Sequence, residues 1–254
     1  MTNEKEVTIY DIANKLDISI ATVSRALKDD PVVSKKTRRN VFRTAEEMNY
    51  RSNQFARNLR SQKTQTIGVI VPKLNSHFMS SVIAGIESIA NSKGYNLIIS
   101  QSSESVTKEI ESAKTMFNSR VDGLLVSLAY DTENIAHFDI FQKKNIPVIF
   151  FDRVMVDDHY TNIVIKNKKA AYEATAHLIE QGCKKIVYIT ASPKQNVYRE
   201  RLDGYKQALA DHQINFDKKN VITGSLTLEA GEAAADLIMK MNPLPDGIFV
   251  ANDN

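Results

Sequence analysis

The stretch DISIATVSRALKDD, Asp17 to Asp30, decides how the N-terminal part of the chain is read. Ser19 is placed to cap a helix, and Val23, Ala26 and Leu27 recur at helical spacing to give it one buried stripe. Ile20 and Ala21 do not fit that stripe. They are apolar, yet they stand at the start of the helix on a face the pattern puts outside the core. Upstream, Thr8 can cap IYDIANKL with Asp11 as its capping-box partner, and Ile9, Ile12, Ala13 and Leu16 share a face. Downstream, KDDPVV is a loop punctuated by Pro31. Ser34 then caps KKTRRNVFRTAEEMNY, with Val41, Phe42, Ala45 and Met48 expected inward. Two helices joined by the short turn DIS and braced by a third make a helix-turn-helix pattern. Each helix is too short to stand alone and depends on the shared core.

In such a motif the second helix lies in the major groove of double-stranded DNA with its N-terminal residues toward the bases. Here those residues are Ser19, Ile20, Ala21, Thr22, Ser24 and Arg25. Arg25 follows Ala21 by one turn, so both can face outward. Arginine can donate two hydrogen bonds to guanine, and apolar side chains can touch a thymine methyl group. Ser19, Thr22 and Tyr10 suit phosphates, which position the protein without specifying sequence; Thr8 completes the DNA-facing set of this unit.

Charge is distributed in the same sense. Residues 1–63 hold 13 Lys/Arg against 8 Asp/Glu, net +5, whereas the whole chain of 254 residues is only +3, which leaves −2 on the remainder. A basic N-terminal unit on a mildly acidic body suits a polyanionic partner at that end. A single cysteine, Cys183, excludes an internal disulfide framework, and no apolar run reaches membrane-spanning length. With no hydrophobic signal segment at MTNEKEVTIYD, the expected location is the cytoplasm.

After Tyr50 the segment RSNQFARNLRSQKTQT is helix-compatible at first and linker-like later. From TIGVIVP onward, apolar strand-like runs (YNLIIS, GLLVSL, PVIFFD, KIVYIT, GIFVAND) alternate with helical patterns (FMSSVIAGIESIANSKG, KEIESAKTMFNSR, NIAHFDIFQKKN, AAYEATAHLIEQG, YRERLDGYKQALADH, TLEAGEAAADLIMKM). This is the signature of βαβ units and an α/β, parallel, doubly wound architecture. The division is a helix-turn-helix domain over 1–50, a hinge helix and linker over 51–63, and a ligand-binding body over 64–254. The chain stops directly after a strand, without the helix that ordinarily follows in a parallel sheet, so it reads as truncated in its last part.

The motifs VTIYDIANKLDISIATVSRAL, VSKKTRRNVFRTAEEMNY, NQFARNLRSQKTQTIGVIVP, VDGLLV, PVIFFDR and RLDGY, in this order, resemble the lactose-repressor (LacI/GalR) family of bacterial transcription regulators along essentially the whole chain. The resemblance implies base-reading roles for Ile20, Ala21 and Arg25. It places Asn53 in the hinge, and it makes Leu59 a hinge-helix leucine that wedges into the minor groove and kinks the DNA. It also implies a homodimer on a pseudo-palindromic operator, and a periplasmic-binding-protein-like body of two α/β subdomains around a cleft that takes a small-molecule effector. Phe78, Asp152, Gln195, Arg201 and Asp253 fall at the effector positions, with Arg201 the foremost because it offers several donors to ligand oxygens. His77 reads as a loop histidine.

Three positions depart from the family pattern. Ser52 stands where proline is common, Lys166 where an acidic residue is common, and Leu226 where an aromatic ring is common. An inward Lys166 would favour an acidic or phosphorylated ligand. The loss of a stacking ring argues against copying a known sugar specificity. Nucleotide-binding glycine motifs, HExxH, GxSxG and zinc-ligand spacing are all lacking in the sequence, so neither an enzyme nor a cofactor or metal is expected. The lack of a signal segment and the basic three-helix unit also count against a secreted solute-binding protein with the same body.

Overall fold

A computed structural model of the chain describes residues 7–50, 63–155, 157, 159–225 and 227–252. The chain divides into two units, Met1–Lys63 and Thr64–Asn254. In the first, α1 (Ile9–Leu16), α2 (Ile20–Ala26) and α3 (Lys35–Glu47) enclose a core of Ile12, Ala13, Val23, Ala26, Val33, Val41 and Ala45. Side chains satisfy the helix starts. The Asp11 carboxylate accepts the Thr8 N–H at 2.8 Å, Ser19 Oγ accepts the Thr22 N–H at 3.1 Å, and Ser34 Oγ accepts the Thr37 N–H at 3.1 Å.

The helix ends are turned by Asp17, Asp29 and Asn49, at φ of 51°, 59° and 52°. Asp and Asn are the residues that visit the left-handed region most readily after glycine. This is how the turn between α1 and α2 closes without a glycine. The loop from α2 to α3 is held from the far side by Arg38. Its guanidinium pairs with the Asp29 carboxylate and donates to the carbonyls of Asp30 (3.0 Å) and Val33 (3.2 Å).

One expected core residue faces outward. Phe42 is 47% exposed, and Thr44 is buried in its stead. Val41, Thr44, Ala45 and Met48 follow the i, i+3, i+4, i+7 spacing of one helix face. Phe42, one residue and about 100° from Val41, cannot share that face.

Among its described residues, the second unit contains two parallel sheets. The first has the order β2-β1-β3-β4-β5, from β1 (Thr66–Val71), β2 (Asn96–Gln101), β3 (Gly123–Val126), β4 (Val148–Phe151) and β5 (Thr161–Ile163). Alternate residues of β1 serve opposite faces, which makes the sheet doubly wound. Val69 and Val71 pack with Met79, Val82, Ile83 and Ile86 of α4 (His77–Ser92). Ile70 packs with Met116 of α5 (Val106–Asn118) and with Phe138, Phe141 and Phe150. The segment NIAHFDIFQKKN forms only a 3-10 turn, Ala136–Phe138, and a single helical turn, α6 (Asp139–Gln142).

The second sheet, β7-β6-β8, comprises β6 (Ile186–Thr190), β7 (Val221–Thr223) and β8 (Gly247–Val250). Its core is aromatic: the Tyr188 ring stacks on Tyr205 and Phe249 at centroid distances of 5.0 and 4.9 Å. Tyr205 belongs to α8 (Asn196–Asp211), which crosses α7 (Asn167–Glu180); α9 (Leu228–Met239) precedes β8. The crossing is backbone-close at Gly204. A Cβ built there would lie 2.1 Å from the Lys168 carbonyl oxygen and 2.9 Å from the Tyr172 nitrogen. Two of the strands, β5 and β7, were not expected from the sequence. Each has three residues, too few to show a period.

Candidate functional site

On the three-helix unit, the side chains that pack α2 and those that face away from the core are separate sets. Val23 and Ala26 are fully buried, while Ala21 and Arg25 are exposed one turn apart on the opposite face and Ile20 is exposed at the flank in the first turn. The Ser19 and Thr22 hydroxyls lie 2.8 Å apart, and Ser19 already accepts the Thr22 N–H, so both are bound into the cap. Tyr10, on α1, is 61% exposed. Thr8 donates its hydroxyl to Asp11 at 2.7 Å, and Ser24 is half-buried. Asn53 and Leu59 lie outside the described residues, as does Ser52.

In the second unit, Gln195 and Asn196, which follow β6 of the second sheet, are hydrogen-bonded to the segments that follow β3 and β4 of the first. Such strand ends are where open α/β sheets bind ligands. Asp152 directly follows β4 with φ of 59°, and Ser103 and Glu104, after β2, are left-handed as well, at 52° and 62°. Non-glycine residues in this region cost energy and are held by their surroundings. Here the Asp152 N–H donates to Ile163 O at 3.1 Å, its carbonyl accepts Asn196 Nδ2 at 3.1 Å, and its carboxylate accepts Ser127 Oγ at 3.4 Å.

Arg201, on α8, donates from Nε to Asn167 Oδ1 at 3.0 Å and from Nη1 to the Ala251 carbonyl at the end of β8. Its charge acts on Asp152 together with that of Arg153. Arg153 itself is spoken for: it pairs with Glu104 at 2.6 Å and lies over the Tyr198 ring at 5.9 Å.

Burial pushes the Asp152 carboxyl above its ordinary value, against the pull of Arg153, Arg201 and the Ser127 hydroxyl. The ionised form is thus disfavoured by folding, and above the raised value its charge subtracts from stability. Asp152→Asn should therefore raise the melting temperature at pH 7. Asparagine tolerates the left-handed backbone, so the change adds no strain of its own. The advantage should shrink as pH falls and vanish below the ordinary value of 3.8, where aspartate is neutral in both states. Circular-dichroism melts across that range check it; a variant less stable than the parent at pH 7 would contradict it.

Of the positions expected at the cleft, Asp152 follows β4 of the first sheet and Arg201 bonds the carbonyl that follows β8 of the second. Gln195 is buried, and its amide is committed to main-chain carbonyls: Nε2 donates to Ala129 O at 3.2 Å and Tyr130 O at 3.0 Å. Phe78 is in the first turn of α4, 46% exposed, so it is not a core residue. His77 opens the same helix and is exposed. Lys166 is the exposed N-cap of α7, where a cation opposes the helix dipole. It lines an open cavity of about 400 Å³ with Asn167, Lys168, Lys169, Tyr172 and Glu200. Asp253 and Leu226 lie outside the described residues.

Residues 8–53 match the family described as bacterial regulatory proteins, lacI family, and residues 67–254 match the periplasmic binding protein domain. The catabolite control protein A of Priestia megaterium is 32% identical over 248 residues, covering 97% of this chain and 74% of that protein. The chain belongs to the lacI family. It is a DNA-binding transcription regulator with an effector domain, in a family of regulators rather than enzymes. Another relative, the HTH-type transcriptional repressor PurR of Vibrio atlanticus, is 30% identical over 97% of this chain and 73% of its own length. The lac repressor dimer bound to operator and the anti-inducer ONPF superposes with a TM-score of 0.83 at 26% identity, covering 98% of this chain and 74% of that one. No helix among the described residues of this lacI-family regulator is long and apolar enough to cross a membrane.

Residues that the sequence reading passed over complete the site: Asn196, Asn167, Glu104 and the fully buried Glu109. Each is a polar side chain on or beside a helix start, bonded to groups from another element. For Asn196 and Asn167 the local signal is an asparagine at the first position of a helix whose N-cap makes no side-chain bond; Glu104 and Glu109 carry none.

Proposed function

We propose that this lacI-family regulator is a homodimeric repressor, with a domain over 1–50 that reads one half of a pseudo-palindromic operator, a hinge over 51–63, and an effector-binding body over 64–254. The observation that carries the reading is the pairing, in one chain, of an α2 whose exposed residues are Ile20, Ala21 and Arg25 with a body in which Asp152 follows β4 of one sheet and Arg201 bonds the Ala251 carbonyl that follows β8 of the other. Arg25 supplies guanine recognition. Ile20 and Ala21 supply apolar contacts to neighbouring thymines, and Ser19, Thr22, Ser24, Tyr10, Thr8 and Asn53 hold the backbone register. Leu59 of each protomer wedges into the minor groove once the two hinge helices pair. The two-fold of the dimer is matched to the two-fold of the operator, as in the relative solved as a dimer on its operator.

The effector is a sugar or sugar derivative. A carboxylate that accepts and a guanidinium that donates suit the hydroxyl groups of a polyol, which do both. Phe78, exposed in the first turn of α4, and Asp253 complete the proposed ligand contacts, as a ring face and a second acceptor. Effector binding alters the angle between the two sheets, and operator and effector affinities are coupled reciprocally.

The test is a binding-site selection with the intact chain. The parent is expected to recover a pseudo-palindrome. Arg25→Ala should lose discrimination at one base pair per half-site, by about 1–3 kcal/mol or roughly 5- to 150-fold. Unchanged specificity in Arg25→Ala would remove that residue from the reading face.

A further inference from the structure

At the start of α8, Gln195 occupies the N-cap, where Ser, Thr, Asp or Asn would bond the helix's own free N–H groups. Its side chain makes no such bond. It reaches instead from the second sheet's side of the body to the loop that follows β3 of the first sheet, donating to the carbonyls of both Ala129 and Tyr130. The helix start is rigid on its own side, because Val197 and Tyr198 belong to the core that contains Tyr188 and Tyr205.

The receiving loop is equally fixed. The same two residues that offer carbonyls to Gln195 give their N–H groups to carboxylates: Ala129 to the buried Glu109 at 2.6 Å, and Tyr130 to Glu104 at 3.1 Å. Glu109 also accepts the Thr132 hydroxyl at 3.0 Å and stands 2.9 Å from His137 Nε2, while Asp131 accepts the Val106 N–H at 2.6 Å. Bonds arranged in series polarise one another, which strengthens the terminal pair that Gln195 makes. Beside it, Asn196 pins the segment after β4, donating to Asp152 O and accepting the Val154 N–H at 3.0 Å.

We propose that Gln195 is a closure latch: it holds the two halves of the body together across the cleft by gripping the carbonyls of Ala129 and Tyr130, and is not a ligand-contacting group. The neighbouring Lys194–Glu133 pair bridges the same elements at 3.2 Å, but both side chains are about three-quarters exposed, so it contributes little to closure. The latch's bearing on regulation rests on the reading of the body as the effector-responsive part. Closure itself does not, and it can be measured without effector or DNA, so either reading can fail while the other stands.

The measurement is the distance between nitroxide labels on Lys114→Cys, in α5, and Lys240→Cys, after α9, in a Cys183→Ser background of the full chain. Both positions are exposed. Gln195→Glu keeps size and leaves a carboxylate at a helix start, which the helix dipole favours, but it removes the donor and faces two carbonyls. Its distance distribution should shift to longer values or gain a longer component. Gln195→Ala, which adds no charge, should shift in the same direction, and it serves as the readout if the glutamate variant does not fold. Lys194→Ala should keep the parent distribution. A parent-like distribution in the folded Gln195 variants, or an equal shift in Lys194→Ala, would overturn the latch.

Discussion

Gly204→Ala is expected to lower the melting temperature of the chain by at least roughly 4–8 °C, although alanine is the better helix former. The propensity gain is about 1 kcal/mol. Against it stands the added methyl group, which would sit 2.1 Å from the carbonyl oxygen of Lys168 and 3.0 Å from the Ala171 Cβ. Neither neighbour is the end of a flexible side chain, so relief requires α7 and α8 to separate. Those helices carry core residues of the second sheet, among them Leu178, Ile179, Tyr205 and Leu209, so separation loosens that core. Overpacking of this kind costs about 1–3 kcal/mol, occasionally more, and a backbone clash belongs at the top of that range. A net loss of about 2 kcal/mol or more gives the stated shift for a domain of this size. A melt at or above the parent temperature would show that the crossing relaxes freely.

Arg201→Ala should abolish the effector response while leaving operator binding intact, at a smaller cost in stability. The guanidinium satisfies Asn167 Oδ1 and the Ala251 carbonyl, and it is one of two cations acting on Asp152. Asn167 is 1% exposed, so its abandoned acceptor cannot turn to solvent; such a loss costs about 1–3 kcal/mol. For a ligand oxygen, one charge-assisted hydrogen bond is worth about 1.5–3 kcal/mol, roughly 10- to 150-fold in affinity. A thermal-shift panel of neutral sugars, sugar phosphates and nucleobases reads both effects. The parent should be stabilised by one class, and Arg201→Ala should start lower and not respond to it. A variant that responds as the parent does would remove Arg201 from ligand contact.

The three-helix unit was legible in the sequence because its information is local. Thr8 with Asp11, Ser19 and Ser34 mark the helix starts within three residues of the groups they bond. Phe42 shows the limit of composition: a large apolar residue was expected inside, where the helical period favours Thr44. In the body, the four-to-six-residue strands announced themselves as apolar runs, whereas β5 and β7 are fixed by pairing with β4 and β6 and carry no pattern of their own. Within the body, resemblance assigns Asp152 and Arg201 to the proposed effector site. Gln195 was placed there too, but not its partners, which are main-chain carbonyls some 65 residues away in sequence. A side chain that bonds backbone leaves no complementary residue type to search for, and the same holds for Asn196.

The division of labour on α2 has a consequence for how such a regulator diversifies. Val23 and Ala26 carry the packing, and the cap rests on Ser19. Ile20, Ala21 and Arg25 share none of these duties. Under the proposed function, a lineage can therefore exchange those three residues and drift toward a new operator after gene duplication without dismantling the core or the cap of α2. Under the same proposal, the constraint on such drift lies in the DNA partner, which has to change at matching positions in both halves of a pseudo-palindrome.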